Sequence, residues 1–373
     1  MLKEGETVLE LLRKEQGLQE RLTNETFKFD KRYKDGYFAA SYFLKTEKIA
    51  KEKFPDAIVT MQWFTRKHST VCGIDEAIAL IHTFANNPQD LYIEALNDGD
   101  EVEPFEPVLK VKGRYVDFGY LEGSIDGILA RRTSVCTNCK ELINAKADTA
   151  NVMFFGDRDD DPRNHPGDGY AAYVAGIKLV CTDAMGEWTG QKGIGTMPHA
   201  LIVMHEMDLL QASIDYHETF KEDKLTILVD SNNDVITDTL LVADYFKEKL
   251  FAVRIDTSIS LEDKYFERNP VKDPSVETHG VNVTLVKALR KALDDHGYNH
   301  VKIVVSSGFT AEKVAMFTKE NAPVDTYGVG GSLLKCTRSF TGDVVNINGK
   351  PMAKVGRQEW FSDRLKEVKY PIK

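Results

Sequence analysis

LTILVD (225–230), FAVRID (251–256), VKIVVSS (301–307) and VDTYGVGG (324–331) are short β-branched runs. Each is followed or preceded by a helical pattern: LLVADYFKEKL (240–250), VTLVKALRKALDDHG (283–297) and AEKVAMFTKENA (311–322). Strands that alternate with helices of this length lie parallel and are joined by right-handed crossovers. Either a doubly wound sheet or an α/β barrel satisfies that rule, and the barrel is the expectation here. The alternation begins near residue 145.

Upstream the pattern is different. Residues 1–25 read as an amphipathic helix with Leu9, Leu12 and Leu18 near one face, AIVTMQWF (57–64) alternates as a strand does, and IDEAIALIHTF predicts a helix at about 74–86. A turn at Asp98-Gly99-Asp100 leads into a period-2 strand ending near Tyr115. The first hundred residues are therefore of α+β type. Downstream, GDVVNINGKPMAKVG carries the Asn-Gly signal of a tight hairpin, so the last forty residues return to β structure and are expected to rejoin the first region.

Composition excludes several classes. With 373 residues, 42% apolar and 28% charged, the chain can bury a sizeable core. No apolar run reaches the roughly 18 residues of a membrane span, and MLKEGETVLELLRKEQ is too charged for a secretory segment. The expectation is a cytoplasmic protein with no membrane partner. A net charge of -10 argues against nucleic acid as the partner, so an anionic ligand must be held by a local cluster. Five scattered cysteines, Cys72, Cys136, Cys139, Cys181 and Cys336, suggest reduced thiols rather than a disulfide framework. Cys136 and Cys139 form a CxxC that lacks a second pair to complete a zinc site, and buried thiols at a helix start is the reading adopted.

Four places along the chain could carry chemistry. Ser306-Ser307-Gly308-Phe309-Thr310 and Gly328-Val329-Gly330-Gly331-Ser332 are glycine-rich strand ends, each expected to run into a helix. Glycine lets backbone approach an anion and a helix start supplies free N–H groups, so together the two loops read as a phosphate cradle; tight βα turns are the alternative. Arg254 and Asp256 lie two apart and share a strand face, with Asp230 at the end of the preceding strand. Such a charged group meets either a ligand or an ion-pair network. Phe154-Phe155-Gly156-Asp157-Arg158 offers an aromatic and a guanidinium for stacking a flat heteroaromatic ring, unless Asp159–Asp161 make the segment a solvated loop. His199, in GTMPHAL before a helix expected near Ala200, is fixed by its Gly, Thr and Pro neighbours and is either structural or a nucleophile or proton shuttle.

GTMPHAL together with RYVDFG (114–119), FGDR, AVRIDT, VVSSGF and YGVGGS, in that order, resembles the nicotinate phosphoribosyltransferases from about Tyr42 to Lys354. The resemblance implies a type II phosphoribosyltransferase fold of class α/β. In it an incomplete TIM-like α/β barrel (119–335) joins a sandwich domain built from the N-terminal region (1–118) and the C-terminal segment (336–373). It implies nicotinate and phosphoribosyl pyrophosphate as substrates, ATP and Mg²⁺ as cofactors, and a homodimer or larger even-numbered oligomer with active sites between subunits. By the same resemblance His199 is the histidine that ATP phosphorylates, Phe155 and Arg254 sandwich the pyridine ring, and Tyr42 reaches the ring from the neighbouring subunit. Asp256 and Asp230 face the ribose and the metal-bound pyrophosphate, while Ser307, Gly308, Gly330 and Gly331 hold the 5′-phosphate. Thr182 and Asp183 correspond to another ribose- and phosphate-facing turn.

The match departs from the family at three points, one of them Ala40, where an aspartate often stands two before the matched tyrosine. Family members often read Arg-Arg-x-His-Pro after the Phe-Gly pair, whereas here three aspartates precede Arg163-Asn164-His165-Pro166, which leaves open whether Arg158 or Arg163 serves the substrate. A cysteine-rich C-terminal knuckle is absent, so no structural zinc is implied. The variants of this reading are a nicotinamide or quinolinate phosphoribosyltransferase and a noncatalytic phosphosugar sensor.

Overall fold

The computed structural model describes residues 21–369. Of these, the residues up to Thr137 and from Lys335 onward form one unit, and Asn138–Leu334 form another. Most of the helix expected over 1–25 lies outside the described residues, and 21–25 are irregular chain and turn.

The first unit is built on a six-stranded sheet whose pairings are antiparallel. Its order is Lys350–Pro351, Phe340–Ile347, Ile58–Thr65, Pro107–Arg114, Tyr92–Ala95 and Lys366–Val368. The Asn348-Gly349 hairpin forms as its sequence requires: both residues are left-handed, with φ 52° and 80°, and Ile347 faces Lys350 across the two-residue loop. Helix Ile74–Phe84 lays Ile74, Ile78 and Ile81 into a core with Met61, Trp63, Leu109, Val111 and Phe118. Full burial of each such side chain contributes about 1.5–3 kcal/mol.

A 24-residue helix, Glu122–Ala145, was not expected from the sequence. Cys136 and Cys139 are buried, as anticipated, but they sit inside this helix and not at its start. Glu122 and Asp126 begin it under the strand that carries Asp343. Burial, with Asp126 and Asp343 adding like charge, pushes Glu122 up to about 8, and burial likewise pushes Asp126 up to about 7. Asp343 itself is engaged by Arg357, Nε to Oδ2 2.8 Å. Raised carboxyl pKa values mean that the folded chain holds protons the unfolded chain has released. Stability on this account falls as pH rises from about 4 through about 8. Glu122→Gln is expected to flatten that slope and, allowing for the partial exposure of the site, to raise Tm at pH 8 by roughly 2–4 °C, or about 1 kcal/mol. Thermal melts of both chains at pH 5 and pH 8 check it; a Tm difference independent of pH would contradict it.

The second unit holds six parallel strands in the order Leu179–Val180, Asn151–Phe154, Thr326–Val329, Lys302–Val305, Ala252–Ile255 and Thr226–Leu228. Apart from Leu179–Val180 and Thr226–Leu228, which stand at opposite edges, sequence neighbours are sheet neighbours, and the last strand of the series pairs with the first, Val329 beside Phe154. That cyclic order, with one open seam between Leu179–Val180 and Thr226–Leu228 among the described residues, gives a half-barrel rather than the reversing order of a doubly wound sheet. Ala252, Val253 and Ile255 are buried on both faces, the pattern of a parallel strand flanked by helices. Helix Val283–Asp295 buries Val286, Leu289 and Leu293, and Asn282 caps its start by accepting from the Leu285 amide at 2.9 Å. No helix among the described residues is long and apolar enough to cross a membrane.

Candidate functional site

All six parallel strands end on one side of the sheet, so the residues just beyond them converge. From the Thr326–Val329 and Asn151–Phe154 ends come Gly330 and Phe155, joined by the Phe155 amide donating to the Val329 carbonyl at 2.8 Å. From Ala252–Ile255 come Arg254 and Asp256, with Nη2 to Oδ2 at 3.5 Å. The Arg254 guanidinium stands over the Phe155 ring, 5.8 Å from its centroid. Two layers of about 3.5 Å each are needed to hold a flat ring between them, so an intercalated ligand requires the guanidinium to shift outward by about 1 Å.

Phe155 depends on a glycine opposite. A Cβ built on Gly328 would lie 2.8 Å from Phe155 Cε2, so the ring packs closely against bare backbone. From the strand between those of Gly328 and Arg254, Ser306 donates its hydroxyl to Asp256 Oδ1 at 2.6 Å. The next two residues, Ser307 and Gly308, are both left-handed, φ 76° and 67°. For Ser307 this is a strained conformation, of the kind stored at ligand-binding turns. Helix Ala311–Lys319 starts directly behind, its cap Thr310 using one of the free amides by accepting from Lys313 N at 3.3 Å. The two glycine loops are tied to each other: Ser332 Oγ donates to the Phe309 carbonyl at 2.8 Å. One expectation fails here. Gly330-Gly331 runs into a single turn closed by Leu333 N donating to Gly330 O, not a helix, because the chain passes to the other unit at Lys335. A helix dipole therefore serves the first loop only.

His199 opens a helix of six residues, His199–Met204, shorter than the sequence suggests; a turn intervenes before the next helix, Leu209–Thr219. Its Nε2 lies 3.2 and 3.3 Å from the two oxygens of Asp230, whose side chain is 5% exposed. Burial raises the Asp230 carboxyl above its usual range; the imidazole pulls it back and nearby Asp256 adds to the rise. The five residues Phe155, Arg254, Asp256, Asp230 and His199 thus form one continuous constellation with the glycine loops at its side.

The other anticipated residues have contacts of their own. Asp183 accepts from the Gly193 amide at 2.9 Å and from Lys192, contacts that hold it below its usual pKa, and Thr182 accepts from the Met185 amide. Both are engaged in their own turn. Arg163 is 89% exposed and paired with Asp161, while Arg158 is exposed. Tyr42 belongs to the first unit, on helix Ser41–Lys53, exposed and against the Phe43 ring.

Two hydroxyl groups, those of Ser231 and Thr257, were missed by sequence reasoning. Ser231 Oγ, Arg254 Nε, Thr257 Oγ1 and His165 Nε2 are buried polar atoms with no protein partner among the described residues, and the first three follow or precede the two strand-end aspartates. Buried orphans of this kind mark where a ligand or water supplies the missing bonds. The signal was present: Asp230-Ser231 and Asp256-Thr257 repeat an acid-hydroxyl pair at adjacent strand ends.

Comparison with known proteins gives a consistent result. Residues 37–133 match the family model described as quinolinate phosphoribosyl transferase, N-terminal domain. A nicotinate phosphoribosyltransferase of Mycobacterium tuberculosis is 25% identical over 272 residues, which cover 70% of this chain and 55% of that protein. The chain thus spans about half the length of the curated relatives it matches. The crystal structure of nicotinate-nucleotide pyrophosphorylase from Pyrococcus furiosus superposes with a TM-score of 0.77 at 28% identity, covering 94% of this chain and 87% of that one. Human nicotinic acid phosphoribosyltransferase shares the fold at a TM-score of 0.64 and 15% identity, over 84% of this chain and 75% of that chain.

The packing of Phe155 is open to a direct check. Gly328→Ala is expected to destabilise by about 1–3 kcal/mol, because the new methyl overpacks the ring. Phe155→Ala in the same chain should recover most of the loss, and urea titrations of the two single variants and the double variant measure the coupling. Additive effects would mean that the ring and Gly328 do not touch.

Proposed function

We propose that this relative of the type II phosphoribosyltransferases is a nicotinate phosphoribosyltransferase. It displaces pyrophosphate from C1 of phosphoribosyl pyrophosphate with the pyridine nitrogen of nicotinate, forming nicotinate mononucleotide for NAD biosynthesis. The observation that carries this reading is Arg254: its guanidinium stands 5.8 Å from the Phe155 centroid with Nε buried and unpartnered, so one group can stack on a pyridine ring and also donate to a carboxylate. The half-barrel is read as an incomplete TIM-like α/β barrel, and the working unit as a cytoplasmic homodimer or larger even assembly.

The reaction passes through positive charge at the sugar and needs positioning more than a strong base. Asp256, fixed by Ser306, and buried Asp230 supply negative charge at that place. The same two carboxylates are hard oxygen donors, which fits Mg²⁺; bound there with the substrate's pyrophosphate it would neutralise the leaving group. Ser307, Gly308, Gly330 and Gly331 would offer backbone amides to the 5′-phosphate. Asp230 accepts from the protonated Nε2 of His199, which leaves the lone pair on Nδ1. That nitrogen can attack the γ-phosphorus of ATP, releasing ADP, and the phosphorylated imidazole couples ATP hydrolysis to the transfer.

A second reading, quinolinate as the acceptor, is favoured by the family model matched at 37–133. Two carboxylates require a second cation at the mouth, and Arg158 and Arg163 are exposed.

Pyrophosphate release with nicotinate, nicotinamide and quinolinate separates the acceptors: nicotinate should be preferred, and turnover of either other pyridine in its place would overturn the choice. Asp256→Asn is expected to lower kcat by about 10²–10³. Labelled ATP should leave acid-labile phosphate on His199, and His199→Ala should abolish ATP stimulation. No pyrophosphate release with any pyridine would support a noncatalytic phosphosugar sensor.

A further inference from the structure

The three consecutive aspartates after Arg158 are not equivalent. Asp160 accepts from the Asp161 amide and from Asn164 Nδ2, and Asp161 accepts from the Arg163 amide and guanidinium, so both are turned into their own loop. Asp159 is turned the other way, onto the second glycine loop. A Cβ built on Gly330 would meet the Phe155 carbonyl first and then Asp159 Oδ2 at 2.7 Å, and one built on Gly331 would lie 2.9 Å from Asp159 Oδ1 and 3.1 Å from Cγ. The carboxylate therefore spans both glycines, sharing the space beside Gly330 with the Phe155 carbonyl and taking that beside Gly331 itself. That is the space in which the proposed function seats the 5′-phosphate.

We propose that Asp159 is a built-in competitor for the phosphate seat: its carboxylate occupies the glycine loop when no ligand is bound, and a phosphoryl group enters only by displacing it. The inference rests on the phosphoribosyl reading of this site. Three features support it. The occupant is an anion, as the ligand is, so the two cannot share the loop without mutual repulsion. Asp159 is exposed, at the end of the short helical turn Gly156–Arg158, so it can leave without exposing core. Its two neighbouring acids are held by other partners and cannot take its place. The consequence is selectivity: a dianionic phosphate ester displaces the carboxylate more readily than a singly charged ligand does.

The test compares the wild-type chain with Asp159→Asn, Asp159→Ala and Asp160→Asn. Dissociation constants for inorganic phosphate and KM for phosphoribosyl pyrophosphate are measured at low and high salt. Both Asp159 variants should bind phosphate about tenfold more tightly at low salt, with the gain appearing in KM and shrinking as salt screens the charge. Asp160→Asn should match the wild type. If the wild type binds phosphate and turns over but the Asp159 variants bind it equally or more weakly, this inference is overturned and the enzymatic reading stands. If no chain binds phosphate or the phosphoribosyl substrate, the site assignment and this inference fall together.

Discussion

The pairing of Thr326–Val329 with Asn151–Phe154 is the interaction on which the site depends. It joins the last strand of the parallel series to the first across some 170 residues of chain, and a loop of that length is entropically demanding to close. What it secures is register. With Val329 beside Phe154, Phe155 leaves its strand next to Gly330, its amide on the Val329 carbonyl and its ring over Gly328. A slip of one residue would turn each side chain to the opposite face of the sheet. The aromatic platform and the bare glycine loop are thus two results of a single strand pairing.

The parallel strands were legible because β-branched runs bounded by glycine and acid leave little room for another reading. Val253 and Ile255 announce a buried strand, and Arg254 and Asp256 break the apolar pattern where it meets solvent and ligand. The helix Glu122–Ala145 was not legible. Gly123, Ser124, Gly127, Thr133, Ser134 and Thr137 have weak helix propensity and spoil any apolar stripe. Tertiary contacts hold it instead: Thr133 Oγ1 bonds the backbone of Cys72, and Thr137 Oγ1 that of Thr70. The short hydroxyl side chains that weaken it as an isolated helix are the ones that dock it.

At the site, spacing disclosed the residues that share one strand and concealed those that meet across strands. That Arg254 and Asp256 face the same way follows from the strand's period of two. The 2.6 Å bond from Ser306 to Asp256 does not follow, since it joins positions fifty residues apart. His199 beside Asp230 is of the same kind, and so is Asp159 on Gly330 and Gly331. Read in isolation, the three aspartates look like one solvated run. Only the fold separates the two that serve their own loop from the one that faces the site.

Electrostatics draws these parts together. If a chain of net charge -10 is to receive a polyanion, as the proposed function requires, it must concentrate its few attractive elements. Here they are one half-buried guanidinium, backbone amides at bare glycine turns and the N-terminus of Ala311–Lys319. Against them stand Asp230, Asp256 and Asp159. Two of these acids lie where positive charge develops during the proposed transfer, so their repulsion toward the incoming phosphates is the counterpart of their usefulness at the sugar. In the proposed reaction a divalent cation arriving with the pyrophosphate would ease that conflict at Asp230 and Asp256, whose carboxylates would hold it. Asp159 lies on the other flank, beside the glycine loop assigned to the 5′-phosphate, where the leaving group's cation is not expected to reach. On the proposed reading, the same charge on two sides of one mouth would therefore have opposite effects: on one it would recruit the metal with the ligand, and on the other it would make the ligand compete for its place.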